Sequence, residues 1–240
     1  MRIVVVSDIH SNLVALDAVL GAAGSVDAVW HLGDVVGYGP DPNGVVARLK
    51  EIGAVGVRGN HDAAAAGGNE IDWFNPDARR AMEWTRDAIE PATLAWLAAL
   101  PERRTEAGFE LVHGSPRQPI WEYIVSEASA RANLDRLTGT AALHGHTHVP
   151  VAWRDVDGEV ELIRGRDGET FRLDDHRVLL NPGSVGQPRD GIPTASYLIL
   201  EPEAGRATWH RAAYDIPAVQ DRMRAAGLPS SLVNRLEIGA

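Results

Sequence analysis

Cysteine is absent from the 240 residues. Disulfides and thiolate metal ligands are thereby excluded, and any metal site must use nitrogen and oxygen donors. No apolar stretch approaches the length of a membrane span. Met1-Arg2 is followed by only four apolar residues, Ile3 to Val6, before the polar Ser7-Asp8, too short a run for the core of a signal peptide. The expectation is a cytoplasmic protein with no membrane partner. Positive charge is also scarce: Lys and Arg number 23 against 33 Asp and Glu, a formal charge of -10. Such a balance argues against a surface built to grip long nucleic acid, while leaving small anionic substrates open. Internal repeats, coiled-coil heptads, low-complexity tracts and interdomain linkers are lacking too. The chain therefore reads as a single domain over residues 1–240, and its 45% hydrophobic content suffices for a full core.

Five short stretches gather Asp, Asn and His where apolar runs stop: Asp8-Ile9-His10, Gly33-Asp34, Gly59-Asn60-His61-Asp62, Val112-His113-Gly114 and Gly145-His146-Thr147-His148. The runs before them read as strands, Arg2–Val6, Ala28–His31, Ala54–Val57, Phe109–His113 and Ala141–His144. Between the first three lie two helical patterns. Asn12–Ala22 carries Leu13, Leu16, Val19 and Leu20 with Ser11 or Asn12 as N-cap, and Pro42–Lys50 opens on a proline suited to a first turn. This is a βαβαβ beginning. In open α/β sheets ligands bind beyond the carboxyl ends of the strands, which is where all five stretches fall.

Residues 63–100 read as a helical insertion that caps or flanks the sheet, with helices at Pro76–Asp87 and Thr93–Leu100; a further helix lies near Ser126–Leu137. After Pro150, Val151–Val156, Glu159–Ile163 and Phe171–Leu173 are separated by the turn signals Asp157-Gly158 and Arg166-Asp167-Gly168. They predict a second sheet, which Arg177–Leu180, Ala195–Leu200 and Ala207–Ala213 extend. Pro217–Ala226 and Ser230–Leu236 read as terminal helices. By itself this pattern gives α/β in the first half and a strand-rich second half.

Carboxylate, carboxamide and imidazole are the ligands that hard or borderline divalent ions take, and a carboxylate can bridge two of them. Asp34 is the bridging candidate. Two ions roughly 3.5–4 Å apart can clamp a phosphoryl oxygen and support in-line attack on phosphorus. Asn60 alone could hold a turn and His113 alone could be a core histidine. Their weight comes from completing a second ligand set.

The five stretches together resemble the calcineurin-like metallophosphoesterase family, whose pattern is Asp-x-His, Gly-Asp, Gly-Asn-His-Asp/Glu, a lone His and Gly-His-x-His. The resemblance runs from Asp8 to His148, and Asn181-Pro182-Gly183-Ser184-Val185-Gly186 is similar to the closing segment of compact bacterial members. The chain also resembles the subgroup labelled diadenosine tetraphosphatase or protein-phosphatase-like. The resemblance implies a four-layer α/β/β/α sandwich of two mixed sheets. It implies that Asp8, His10, Asp34 and His148 surround one divalent ion and Asp34, Asn60, His113 and His146 the other. His61 is then the catalytic histidine that protonates the leaving oxygen, with Asp62 orienting it, and a hydroxide shared by the ions attacks phosphorus. The implied activity is hydrolysis of a small phosphomonoester or phosphodiester. Manganese is the working ion, with iron, zinc, cobalt or nickel as alternatives. Two other readings stay open, a non-catalytic scaffold of the same fold and a phosphoprotein phosphatase. One departure stands out: many family members carry an acidic residue three positions after the bridging aspartate, where this chain has Gly37.

Other residues carry weaker expectations. Asn12, Tyr38, Arg117 and Arg189 are candidate phosphate or leaving-group contacts, since guanidinium pairs well with phosphate oxygens. His144 and His31 are read as structural or supporting residues, and His176 and His210 as surface or satisfied ones. The segment Asn181–Gly186 is either a connector or a turn facing the site. Trp73, Trp84, Trp96 and Trp121 are assigned to core or cap packing rather than to substrate.

Overall fold

The computed structural model describes residues 1–240, the side chains of Asn69 and Glu70 excepted. The opening is a βαβαβ unit of β1 (Ile3–Val6), α1 (Leu13–Ala23), β2 (Ala28–His31), α2 (Pro42–Glu51) and β3 (Val55–Gly56). Its strands are parallel, in register Ile3↔Ala28 and Trp30↔Val55. Asn12 is the N-cap of α1, its side chain accepting from the Ala15 N–H at 3.0 Å. The helical segment that follows holds α3 (Asn60–Ala65), α4 (Pro76–Ala88) and α5 (Pro91–Ala99). Ala64, Met82 and Leu97 from these helices pack with Val4, Val6 and the inner faces of α1 and α2. The segment thus continues the helical layer over the first sheet.

Next come β4 (Arg103–Glu106), β5 (Phe109–Val112), α6 (Glu127–Leu134), β6 (Ala141–Leu143), β7 (Val151–Val156) and β8 (Glu159–Arg164). The chain ends through β9 (Thr170–Arg172), β10 (Val178–Asn181), β11 (Ala195–Glu201), β12 (Arg206–Ala212), α7 (Ile216–Ala225) and α8 (Ser230–Asn234). Two six-stranded mixed sheets result, in the orders β3-β2-β1-β11-β12-β9 and β4-β5-β6-β10-β7-β8. Ile3, Val5, Leu198 and Trp209 of the first meet Leu111, Leu143, Ala152 and Leu180 of the second. Ala142, Trp153 and Leu179 face outward onto Ala130 and Leu134 of α6. The layers run α/β/β/α, with β1, β11, β6 and β10 buried on both faces.

The division of strands between the sheets differs from the sequence expectation. The strands after Pro150 do not form one sheet: β9, β11 and β12 join the first, while β5 and β6 join the second. β11 lies antiparallel to β1 with Ile3↔Leu200 and Val5↔Leu198. It covers an edge that would otherwise leave unpaired backbone groups beside the site loops. The sequence does not announce strand β4, because Arg103-Arg104-Thr105-Glu106 is wholly polar and half outside the core. It forms a hairpin with β5 across Ala107-Gly108, both at positive φ, as a type I′ turn requires.

Candidate metal centre

All five stretches converge at one end of the two sheets. Asp8 and His10 lie in the loop after β1, Asp34 after β2, His113 after β5, and His146 and His148 after β6. Asn60 is the first residue of α3 rather than a loop residue. The backbone there is strained. Asp8, His10, Ser11, Asp34, Tyr38, His146 and His148 have φ between 48° and 67°, and only two other non-glycine residues among those described, Ala107 and Asp157, share that region. Left-handed backbone costs an L-residue about 1–2 kcal/mol, so its concentration here marks loops held in place by their surroundings. The segment after β10 does much of the holding. The Val185 N–H donates to Ser7 O at 3.0 Å, the Gly186 N–H to Asp8 O at 3.0 Å, and Ser184 Oγ to the same Asp8 O at 2.8 Å. Asn181 Nδ2 donates to Gly145 O at 2.8 Å. A side chain at Gly145 would collide with Ser7 and Asp8, so only glycine lets the two loops touch.

The donor atoms form two groups. One joins Asp8, His10, Asp34 and His148; the other joins Asp34, His113 and His146, and all are buried. Asp34 Oδ2 is the shared atom, 3.7 Å from His10 Nε2 and 3.4 Å from His113 Nε2. Its Oδ1 is taken by the His61 N–H at 2.8 Å. His148 Nε2 lies 3.2 Å from Asp8 Oδ1 and 3.2 Å from His10 Nε2. His113 Nε2 lies 3.0 Å from both Asn60 Oδ1 and His146 Nδ1, which brings Asn60 into the second group.

The tautomers explain why these contacts call for cations. His10 Nδ1 faces Val36 O at 3.2 Å, His113 Nδ1 faces Leu32 O at 2.8 Å and His148 Nδ1 faces Gln187 O at 2.6 Å. A ring nitrogen facing a carbonyl carries the proton, so each Nε2 presents a lone pair to the centre. With the rings neutral, lone pairs face lone pairs and carboxylate oxygens at about 3 Å, an arrangement that calls for a proton or a cation between them. Donors bound at about 2.1 Å to one ion stand about 3.0 Å apart at right angles and about 3.4 Å apart at the tetrahedral angle. The separations match that expectation, and the nitrogen and oxygen donor set suits divalent ions. Electrostatics agree: burial disfavours a charged His113 ring, yet Asp34 and Asp8 outweigh it and lift its pKa to about 9. Burial likewise opposes charge on Asp34 and Asp8, but the surrounding imidazoles hold both carboxyls below the ordinary range. The centre is built for positive charge.

Comparison with known proteins agrees with this geometry. The profile of the calcineurin-like phosphoesterase superfamily domain matches residues 1–205. The chain belongs to that superfamily. As a phosphoesterase it is a hydrolase acting on phosphoester bonds. It is 35% identical to the uncharacterized protein MJ0912 of Methanocaldococcus jannaschii, covering 99% of this chain and 98% of that one. It is 30% identical to phosphodiesterase YfcE of Escherichia coli over 84% of this chain and 88% of the relative. The crystal structure of a metallophosphoesterase from Sphaerobacter thermophilus superposes with a TM-score of 0.92 at 46% identity, covering 100% of this chain and 99% of the other.

In this phosphoesterase, His61 is buried beside the centre. Its ring packs on Tyr38 at 4.4 Å, Phe74 at 4.5 Å and His10 at 4.8 Å. Burial pushes its pKa down to about 4, helped by the positive charge of Arg189 and opposed by Asp34. The Gly37 departure has a steric cause: a Cβ there would press into His61 Nδ1 and stand 3.1 Å from Cγ. Gly37 also sits at φ +91°, so glycine satisfies both demands. The expected contact between Asp62 and the His61 ring is not made. Asp62 Oδ1 instead accepts from the Val35 and Val36 N–H groups at 2.9 and 3.1 Å, and Oδ2 from the Gly59 N–H at 3.0 Å. It ties the Asp34 loop to the start of α3, and so fixes His61 through the backbone.

The substrate-contact candidates separate. Asn12 is buried, with Oδ1 used as the cap of α1 and one Nδ2 hydrogen given to Gly186 O at 3.2 Å, which leaves its second Nδ2 hydrogen uncommitted. Arg117 is exposed beside α6, 3.8 Å from Glu122, and no hydrogen bond or ion pair joins it to the centre among the described residues. Tyr38 is buried, packed on His10 and His61. Arg189 lies close enough for its charge to lower the pKa of His61 and His148, and it donates to Gln187 Oε1 at 3.2 Å. Trp84 and Trp96 pack against cores as expected. Trp73 does not, being 73% exposed. His144 and His31 are fully buried and lie outside both donor groups. Two residues escape the sequence reading. Tyr123 stacks on His146 at 3.7 Å, and Gln187 holds His148 through a backbone carbonyl, a role no side-chain pattern announces.

Proposed function

We propose that the protein hydrolyses a small phosphomonoester or phosphodiester at two divalent ions. Asp8, His10, Asp34 and His148 would hold one ion; Asp34, Asn60, His113 and His146 would hold the other. Asp34 Oδ2, facing both donor groups at 3.4–3.7 Å, is the observation that carries this reading. Two ions bound there would neutralise charge on the phosphoryl oxygens and make water acidic enough to act as nucleophile near neutral pH, manganese being the working choice.

The side chains supply the rest. Nδ1 of His61 is buried against Gly37, so Nε2 is the ring nitrogen left to reach a ligand. The ring is neutral at pH 7 in the free protein, and an anionic phosphoryl group beside it raises its affinity for a proton. As the bond from phosphorus to the leaving oxygen breaks and the oxygen of water takes its place, His61 gives a proton to that leaving oxygen. Arg189 offers a guanidinium to the non-reacting phosphoryl oxygens. The named activity of the Escherichia coli relative favours a phosphodiester. The whole of residues 1–240 serves as one catalytic domain in this reading, with residues 63–100 walling the site.

A non-catalytic scaffold would have no need of a histidine kept in a steric notch beside two complete donor groups. The test combines metal content with manganese-dependent turnover of paired aryl phosphomonoester and phosphodiester substrates, for wild type and His61→Ala. The expected result is metal in both proteins and turnover, at least a hundredfold faster, in the wild type. Equal inertness of both across a broad phosphoester panel would overturn the enzyme reading.

A further inference from the structure

Beyond the centre, a strip of aromatic rings leads away from His61. The His61 ring meets Phe74 at 4.5 Å, Phe74 meets Trp121 at 6.2 Å, and Trp121 meets Trp73 at 5.1 Å with the planes at 68°. Trp73 and Phe74 come from the segment before α4, and Trp121 from the loop between β5 and α6. Two segments distant in sequence therefore build one surface. Trp73 is 73% exposed, a large apolar area to leave in water on a chain whose other tryptophans are buried or half-buried. Its edge-on contact with Trp121 leaves a ring face free. Trp121 also lines a cleft of about 450 Å³ whose wall includes the polar Arg58 and Gln118, enough room for a purine ring.

We propose that this strip binds the base of a nucleoside leaving group, stacked face-on on Trp73 with Trp121 at its edge. The inference rests on the phosphoesterase reading and adds a substrate class to it. Direction carries the assignment. The strip starts at His61, the group placed at the leaving oxygen, so the moiety lying outward of that oxygen is the leaving group itself. Face-on stacking on an exposed indole accepts any base, because each presents a π-face. The acidic surface does not oppose this, since a base is neutral and the phosphate stays at the centre.

The experiment uses the manganese-loaded protein and two matched phosphomonoesters, adenosine 5′-phosphate and ribose 5-phosphate, in which adenosine or bare ribose is the leaving group. Wild type is expected to favour the adenosine ester about tenfold in KM, which corresponds to about 1.4 kcal/mol. Trp73→Ala should bring the ratio of the two KM values close to one, and Trp73→Phe should restore most of it. Leu162→Ala, an exposed change on β8, should keep the wild-type ratio. A second readout needs no turnover: adenosine should quench tryptophan fluorescence of wild type saturably, and not that of Trp73→Ala. Equal KM values for the two esters in wild type, or identical quenching of both proteins, would overturn the proposal. Inertness toward both esters while adenosine still quenches would instead overturn the phosphoesterase reading.

Discussion

Replacing Gly37 by alanine tests the link between backbone shape and chemistry. The new Cβ would press on His61 Nδ1 and approach Cγ to 3.1 Å, inside ordinary van der Waals contact. Tyr38 and Phe74, both packed against the ring, restrict where the imidazole can go. Relief therefore requires the ring to move by about 1 Å, and a displacement of that size at a reacting group costs on the order of 10²-fold in rate. The left-handed φ of +91° adds about 1–2 kcal/mol of backbone strain, or roughly 3–6 °C in Tm for a chain of this size. None of the donor atoms touches the added methyl group, so metal content should stay at the wild-type value. The assay is kcat on an aryl phosphodiester, with metal analysis and thermal unfolding on the same preparation. A Gly37→Ala protein that loses the expected stability yet keeps kcat within about threefold would refute the need for His61 at this position.

Three further outcomes are expected from the geometry. Asp34→Asn should empty both halves of the centre together because Oδ2 faces both donor groups; retention of one full metal equivalent in elemental analysis would refute a shared ligand. Asp62→Ala leaves three buried N–H groups without their carboxylate and should lower stability by about 3–5 kcal/mol in denaturant unfolding, whereas a loss below about 1 kcal/mol would contradict its role as a tie between the Asp34 loop and α3. Burial holds the His31 imidazole at about 3, against an ordinary value of 6.5, so the unfolded chain binds the extra proton between those limits and stability falls as the pH drops through them. Between pH 6.5 and 4.5 this contribution should cost wild type about 2–3 kcal/mol that His31→Leu does not lose; equal pH slopes for the two proteins would rule this out.

The residues that the structure gathers at the candidate centre were legible because most of them lie within a few positions of a strand's carboxyl end, where the loops of an open sheet converge. The partition into sheets was not. Strands β1, β6, β10 and β11 are buried on both faces, so alternation, which ordinarily reports a strand's two environments, carries no label for which sheet it joins. Hairpins show the same limit in miniature. Asp157-Gly158 and Ala107-Gly108 adopt matching positive-φ pairs, but only the first has a residue type that announces the turn. Asp62 differs from its expected role for a related reason. Its place next to His61 in sequence suggests a side-chain contact, whereas at the third position of α3 its carboxylate turns back to the helix start and the neighbouring loop. Trp73 reads as a packing residue because a helical neighbourhood of aromatics usually packs; its exposure depends on the loop that carries Trp121, far along the chain.

The pairing of β11 with β1 also sets an order of events during synthesis. Strand β1 waits for β11, far along the chain, before its antiparallel neighbour exists, and Asp8 waits for Ser184, 176 residues later, to fasten its loop. Early translation products carry Asp8, His10 and Asp34 without the hydrogen bonds from Ser184, Val185 and Gly186 that fasten the Asp8 loop. A nascent chain stopped before β10 therefore has an open sheet edge and loose donor loops, which makes it a target for chaperones. On the proposed two-ion reading, metal would enter the centre only late in synthesis.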